Sequence, residues 1–380
     1  MFDGLRGVAI VAVFTYHAAE FSYWLGAGVL GRAAQAAGPQ AVVTFFVISG
    51  FLLYRPFVAA RVEGRRAPSS VKYGRRRALR ILPGYWTILT LLAVFPGIVG
   101  VFTSDWWRYY GYLQLYSAHT RSGGIQVAWT LCIEVMFYIL LPVWAWAVRR
   151  LDDRRMLRSE LIPLIVVAAG GAVMQLLAAR RQVGYALGAS LASQCTWIAI
   201  GMGLAALSAV PLRGRLARAL EALGDRSGLC WIGSLLAFAV LVVLVPKGGL
   251  FGLITTLVTR QSGWRTLAKI VASAVCVTLL VLPAIFGGDR RGLPRRLLAW
   301  RPVIWLGVIS YSFYLLHLTI IEFIALDRSP TFSARGIGLE LKKGVGRQLV
   351  MYALSFGVTL LLASVSYRFV ELPFLRRKER

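Results

Sequence analysis

The sequence predicts an all-α polytopic membrane protein with about ten transmembrane helices and both termini in the cytoplasm. Three observations predict it. Of 380 residues, 58% are hydrophobic and 16% charged, against about 45–50% and about 25% in soluble domains; the mean hydropathy is +0.66. Mostly apolar stretches of about 20 residues, the length of a bilayer-spanning helix, recur along the chain. The 43 Lys and Arg residues, set against 16 Asp and Glu, sit in short blocks between those stretches. A soluble fold of this length could not hide so much apolar surface. The composition excludes an ordinary soluble enzyme, a disordered chain and a secreted disulfide scaffold.

The first stretch, 5–25, follows only a few residues and holds ionisable groups, so it reads as a span rather than a cleavable signal. The second, 41–60, leads into RVEGRRAPSSVKYGRRRALR, the densest basic block, and the third, 81–102, starts where that block ends. The fourth, 127–148, precedes Arg149, Arg150, Arg154, Arg155 and Arg158. The fifth and sixth, 161–179 and 187–210, lead to Arg213, Arg215, Arg218 and Arg226. The seventh and eighth, 229–246 and 267–287, lead to Arg290, Arg291, Arg295, Arg296 and Arg301. The ninth and tenth, 303–325 and 349–370, lead to Arg376, Arg377, Lys378 and Arg380. With ten spans these blocks share one side and outnumber the basic residues of the other by about two to one, which makes that side cytoplasmic. The other side carries Arg32, Arg108, Arg121, Arg180, Arg181, Lys247, Arg260 and Arg265, and the last outer loop adds Arg328, Arg335, Lys342, Lys343 and Arg347.

The stretch 250–258 (LFGLITTLV) is apolar but too short to span and reads as interfacial or re-entrant. Many of the 12 Trp fit interfacial belts, as at Trp106, Trp107, Trp300 and Trp305. Cys132, Cys195, Cys230 and Cys276 have no metal-ligand spacing and read as small apolar fillers. No repeat or linker divides the chain, so residues 1–380 read as one transmembrane domain.

Ionisable residues inside spans are costly and mark function. His17 in the first span, Glu134 in the fourth and His317 in the ninth fall at or just outside the bilayer midplane, counting about 1.5 Å per residue. Arg6 and His17 are eleven residues apart, so they share one helix face and lie about 16 Å apart along the axis. Arg6 sits at the cytoplasmic mouth, beside Arg77 and Arg80. Arginine forks suit phosphate, so this mouth fits the phosphates of an acyl-CoA with its thioester at the buried imidazole. Glu20 and Glu322, near span ends, read as interfacial.

Several motifs carry a resemblance: FDGLRGVAIVAVFTYH at the start, FFVISGFLL at 45–53, RALR at 77–80 followed by ILPGYW, WTLCIEVMFYILLP at 129–142, ISYSFYLLH at 309–317 and VELPF at 370–374. In these, and in their order along nearly the whole chain, the protein resembles the membrane acyltransferase-3 family of O-antigen and macrolide acyltransferases. The resemblance implies ten helices and transfer of an acyl group, often acetyl, from cytoplasmic acyl-CoA to a hydroxyl. It carries the family's histidine onto His17, its arginine onto Arg6, its RxxR pair onto Arg77 and Arg80, and its glutamate onto Glu134. No SGNH-type domain follows the tenth span, so the expected enzyme acts alone or with a separate extracytoplasmic partner.

The expectation is thus a multi-pass inner (plasma) membrane O-acyltransferase acting on a cell-envelope glycan, glycolipid or macrolide-type acceptor. Arg6, Arg77 and Arg80 hold the acyl-CoA co-substrate; no tightly bound cofactor, metal or nucleic acid is expected. His17 is general base or acyl carrier, Glu134 orients it or stabilises its imidazolium, and Trp129, Tyr311 and His317 contact substrate. The main rival is a proton-coupled transporter or lipid flippase, which a midplane polar cluster also suits but which gives no reason for three arginines at one mouth. A lipid-linked glycosyltransferase would want an outer acidic pair or DxD, which the chain lacks. Serine-hydrolase and zincin chemistry lack their GxSxG and HExxH motifs.

Overall fold

A computed structural model describes residues 1–21, 28–152, 155–212, 214–245, 262–287, 292–339 and 345–377. The 250–258 stretch, Arg154, Arg213, Lys247, Arg260, Arg290, Arg291, Lys342, Lys343, Lys378, Arg380 and the Arg347 side chain lie outside the described residues.

Most of the described residues are helical, with isolated bridges in place of strands. The long helices are α1 Phe2–Phe21, α2 Gly28–Val62, α3 Ser70–Val94, α4 Trp129–Val148, α5 Met156–Ala179, α6 Leu191–Ala209, α7 Ser227–Leu244 and α8 Gly263–Ile285. A bent pair, α9 Arg301–Val308 and α10 Ser310–Ala325, follows, and then α11 Val345–Ser366. Among the described residues, seven helices are long and apolar enough to cross a membrane, and the bent pair passes the same test jointly. The long helices outside that set, α1 and α3, are the ones that carry Arg6, His17, Arg77 and Arg80.

Burial separates the helices. Most of α2 and α6 is buried, whereas α5 and α7 expose Ile162, Ile165, Val166, Leu235, Leu236 and Val243. Exposed branched apolar side chains on long helices are what a lipid surroundings requires. Trp106, Trp107, Trp300 and Trp305 are all exposed.

Glycine sets the closest crossings. A Cβ on Gly50 would sit 2.3 Å from the Ile198 carbonyl oxygen, and one on Gly201 would sit 2.1 Å from that of Val47. The α2–α6 crossing is therefore backbone against backbone, as small residues allow in membranes. The glycines of the opening motif do the same for α1: Gly4 meets Leu298, Gly7 meets Val303, and Gly307 meets Asp3.

Three predicted spans differ most from the structure. The second begins at Gly28 rather than near 41 and runs to Val62. The third begins at Ser70 rather than near 81, because the Ser69 hydroxyl accepts the Lys72 N–H as a cap and the arginines that follow are good helix formers. It stops at Val94 because Pro96 cannot continue it and restricts Phe95. The ninth is not one straight helix but turns by 76° between Val308 and Ser310, where the Ser310 hydroxyl donates to the Gly307 carbonyl at 2.8 Å.

Beyond α3, residues 95–128 fold back and join 326–339. The N–H of Val99 donates to Thr331, that of Ser333 to Gly97, and that of Gly124 to Val99. The Tyr85 hydroxyl ties this cap to α3 by donating to the Tyr109 carbonyl at 2.9 Å. Gly100, Gly123 and Gly124 crowd the Tyr109 ring, whose burial raises its phenol above the ordinary tyrosine range. At the other end of α2, Arg61 forms a buried ion pair with Glu160 at 2.8 Å, and Glu160 also accepts the Tyr54 hydroxyl.

Candidate active site

The polar residues of α1 fall into two groups about 16 Å apart along its axis. His17 lies in the last turns. Its Nδ1 is 2.7 Å from Glu20 Oε2, and Glu20 Oε1 accepts the Tyr16 hydroxyl at 2.7 Å. The spacing is local: i to i+3 and i to i+4 share a helix face. A carboxylate only accepts, so neutral His17 keeps its proton on Nδ1 and presents the Nε2 lone pair. The side chains of His17 and Glu20 are 18% and 16% exposed, so the dyad is shielded yet reachable.

His317 comes from α10. It is fully buried, and its ring centre is 5.2 Å from that of His17. Phe14 and Phe313 pack beside it, the latter stacked. Its Nδ1 is 2.7 Å from the Tyr314 carbonyl oxygen, and its Nε2 has no hydrogen-bond partner among the described residues.

The second group gathers at Arg6. Arg80, Glu134, Tyr138 and Asp3 are the ionisable groups that interact with it. Glu134 accepts the Ser49 hydroxyl and the Tyr138 hydroxyl, each at 3.0 Å. Arg77 shares the surroundings of Tyr73, Tyr138 and Glu134. Glu371, on a π-helical turn Tyr367–Glu371, accepts the Ser312 hydroxyl and feels Arg80 and Arg6. Arg77 and Arg80 are half-buried, while Arg75 and Arg76 of the same block are exposed. The Nε atoms of Arg6 and Arg77 are buried without partners among the described residues.

The structure thus brings Arg6, Arg77, Arg80 and Glu134 together, and separately His17 and His317. Glu134 bonds to Ser49 and Tyr138, whereas the carboxylate on the His17 imidazole is Glu20, expected at the interface only. Glu322 is also buried, and accepts the Ser329 hydroxyl. Tyr311 donates to the Ile81 carbonyl at 2.7 Å and so ties α10 to α3, and Trp129 packs half-buried against the core. Sequence reasoning read Glu20 as interfacial and missed Tyr138, Ser49 and Glu371. The first two had a readable signal, a partner three or four residues away on a helix; the last two meet the site only through packing. No group of three His, Cys, Asp or Glu side chains among the described residues is placed to hold a metal ion.

A family model described as an acyltransferase domain matches residues 2–368. The chain belongs to this acyltransferase family. Among its relatives, YrhL of Bacillus subtilis (strain 168) is 25% identical over 98% of this chain and 54% of its own. The O-acetyltransferase OatA of Staphylococcus aureus (strain NCTC 8325 / PS 47) is 23% identical over 99% and 57%. The peptidoglycan O-acetyltransferase OatA of Listeria monocytogenes is 21% identical over 98% and 55%. This acyltransferase spans a little over half the length of these relatives. No solved structure matches it. With its apolar helices, membership of a family of membrane acyltransferases makes it a multi-pass membrane protein.

Proposed function

We propose that the protein is a ten-span membrane O-acetyltransferase, with both termini in the cytoplasm, that moves an acyl group from cytoplasmic acyl-CoA to a hydroxyl of peptidoglycan. The observation that carries this reading is the pairing on α1 of a carboxylate-held histidine with an arginine cluster about 16 Å away. Arg6, Arg77 and Arg80 take the nucleotide phosphates, each in charge-assisted hydrogen bonds. Glu134, through Ser49 and Tyr138, and Glu371, through Ser312, hold the cluster until phosphate arrives. The pantetheine arm then reaches along α1 to His17. The acceptor class follows from the relatives named for peptidoglycan O-acetylation.

In the reaction, His17 Nε2 takes the acceptor's hydroxyl proton as the oxygen attacks the thioester carbonyl. The C–S bond breaks and the thiolate leaves with that proton. Glu20 keeps the imidazole in the right tautomer and offsets its positive charge, the part a carboxylate plays beside a catalytic histidine. Residues 1–380 act as one domain, and the acceptor reaches it directly or through a separate extracytoplasmic partner.

The test is acyl-CoA binding and transfer by the purified chain in detergent. Wild type is expected to bind acetyl-CoA with an affinity that falls with salt, and R6A/R77A/R80A to lose it. H17A is expected to bind the donor but not transfer. Undiminished transfer by H17A would end the proposal.

A further inference from the structure

The surface between α7 and α8 is notched. Trp264, Ala268, Ala272 and Val275 of α8, with Ala237 and Val240 of α7, line an open groove of about 510 Å3. Its floor is alanine, which has no rotamer to swing in and close it. Ala272 is buried in a cluster with Ala36 of α2 and Leu241 of α7. The walls Val240 and Val275 are exposed, and β-branched side chains are stiff in a helix. The groove is therefore a fixed product of helix packing. Its volume lies within the about 300–1,000 Å3 of small-ligand sites. From Trp264 to Val275 it runs about 16 Å along α8. The hydrocarbon core of a bilayer is about 30 Å thick, so the groove has the depth of one leaflet and is about half the length of a spanning helix.

Two guanidinium groups stand at its Trp264 end. Arg265 lies over the Trp264 ring, 5.4 Å from its centroid. Arg180, which follows α5, lies against Gly263, where an added Cβ would meet its Cζ at 3.1 Å. Both arginines are exposed, and neither forms an ion pair among the described residues. Arg180 is about 30 Å from Glu160 along α5, so this is the membrane face opposite the Arg61–Glu160 pair.

We propose that this is a binding site for an anionic phospholipid, with one fatty chain in the α7–α8 groove and the phosphate on Arg180 and Arg265. The planar fork of arginine takes two phosphate oxygens at once. Trp264 stands between chain and phosphate, at the level where amphipathic rings sit in a bilayer. The site shares no residue with the Arg6 cluster or the His17 group and does not depend on the reading of either. A second copy of the chain fits this surface poorly. A two-fold dimer would bring the patch onto itself and set like-charged arginines against each other.

The test is native mass spectrometry of the full chain released from detergent, titrated with phosphatidylglycerol or with phosphatidylcholine of the same chain length. Wild type is expected to bind phosphatidylglycerol about tenfold more tightly or better. R180A/R265A is expected to lose about 5-fold in phosphatidylglycerol affinity for each arginine, roughly 30-fold together, and to bind phosphatidylcholine as before. A268F fills the groove and leaves the arginines, so both lipids should weaken together. If Phe disturbs the helix pair, seen as a lowered melting temperature in detergent, A268L supplies a milder filling. Equal affinity of wild type for the two lipids overturns the proposal, and so does phosphatidylglycerol binding that R180A/R265A leaves intact. Unchanged binding of both lipids in A268F and A268L puts the chain elsewhere and overturns it as well. A wild-type dimer that A268F converts to monomer, with lipid binding unchanged, gives the groove to a second copy and ends the proposal.

Discussion

Replacing Glu20 separates the two carboxylates that could serve His17. The Nδ1–Oε2 contact is 2.7 Å and both side chains are less than one-fifth exposed, so solvent screens it little. A hydrogen bond to a charged group contributes about 1.5–3 kcal/mol, and each 1.4 kcal/mol is about tenfold in rate. E20A is therefore expected to lower kcat by about 10- to 150-fold. The donor site lies about 16 Å away along α1, so acetyl-CoA binding should be unchanged. The assay is steady-state transfer from radiolabelled acetyl-CoA by the purified chain, with donor binding by equilibrium titration in the same detergent. E134A should behave in the opposite way and weaken donor binding, because Glu134 is bonded to Ser49 and Tyr138 beside Arg6. Wild-type kcat in E20A, together with lost turnover and intact donor binding in E134A, would refute the assignment of Glu20 to His17.

Other outcomes follow from the same contacts. R77A and R80A should each weaken acetyl-CoA binding tenfold or more and flatten its salt dependence, while R75A and R76A, at exposed positions of the same block, should stay within about twofold. R61A leaves Glu160 buried without its ion-pair partner at 2.8 Å and should destabilise the fold by about 3–5 kcal/mol, read as a drop in detergent melting temperature. G201L forces side-chain atoms into the Val47 carbonyl, where even a Cβ would sit at 2.1 Å; it should abolish folded, monodisperse protein in size-exclusion chromatography. S49A should weaken donor binding severalfold by freeing one oxygen of Glu134, with the melting temperature shifted by only a few degrees.

Composition and the period of apolar stretches alone determined that this chain is helical and membrane-embedded, because a bilayer demands long apolar segments with their backbone bonded internally. Spacing along α1 determined that Arg6 and His17 share a face, since helical geometry is local. The same local logic contained Glu20, three residues past His17, but depth arithmetic favoured Glu134, which the structure places instead in the Arg6 group, about 16 Å from His17 along α1. Tertiary structure alone decided that Glu134 belongs with Arg6 and Tyr138, that Glu371 arrives from the far end of the chain, and that the ring of His317 lies 5.2 Å from that of His17. Each depends on how one helix is rotated and bent against another, and here glycine contacts such as Gly307 on Asp3 and the 76° turn before α10 set those angles. A local pattern cannot encode such angles, because they arise from backbones meeting across hundreds of residues.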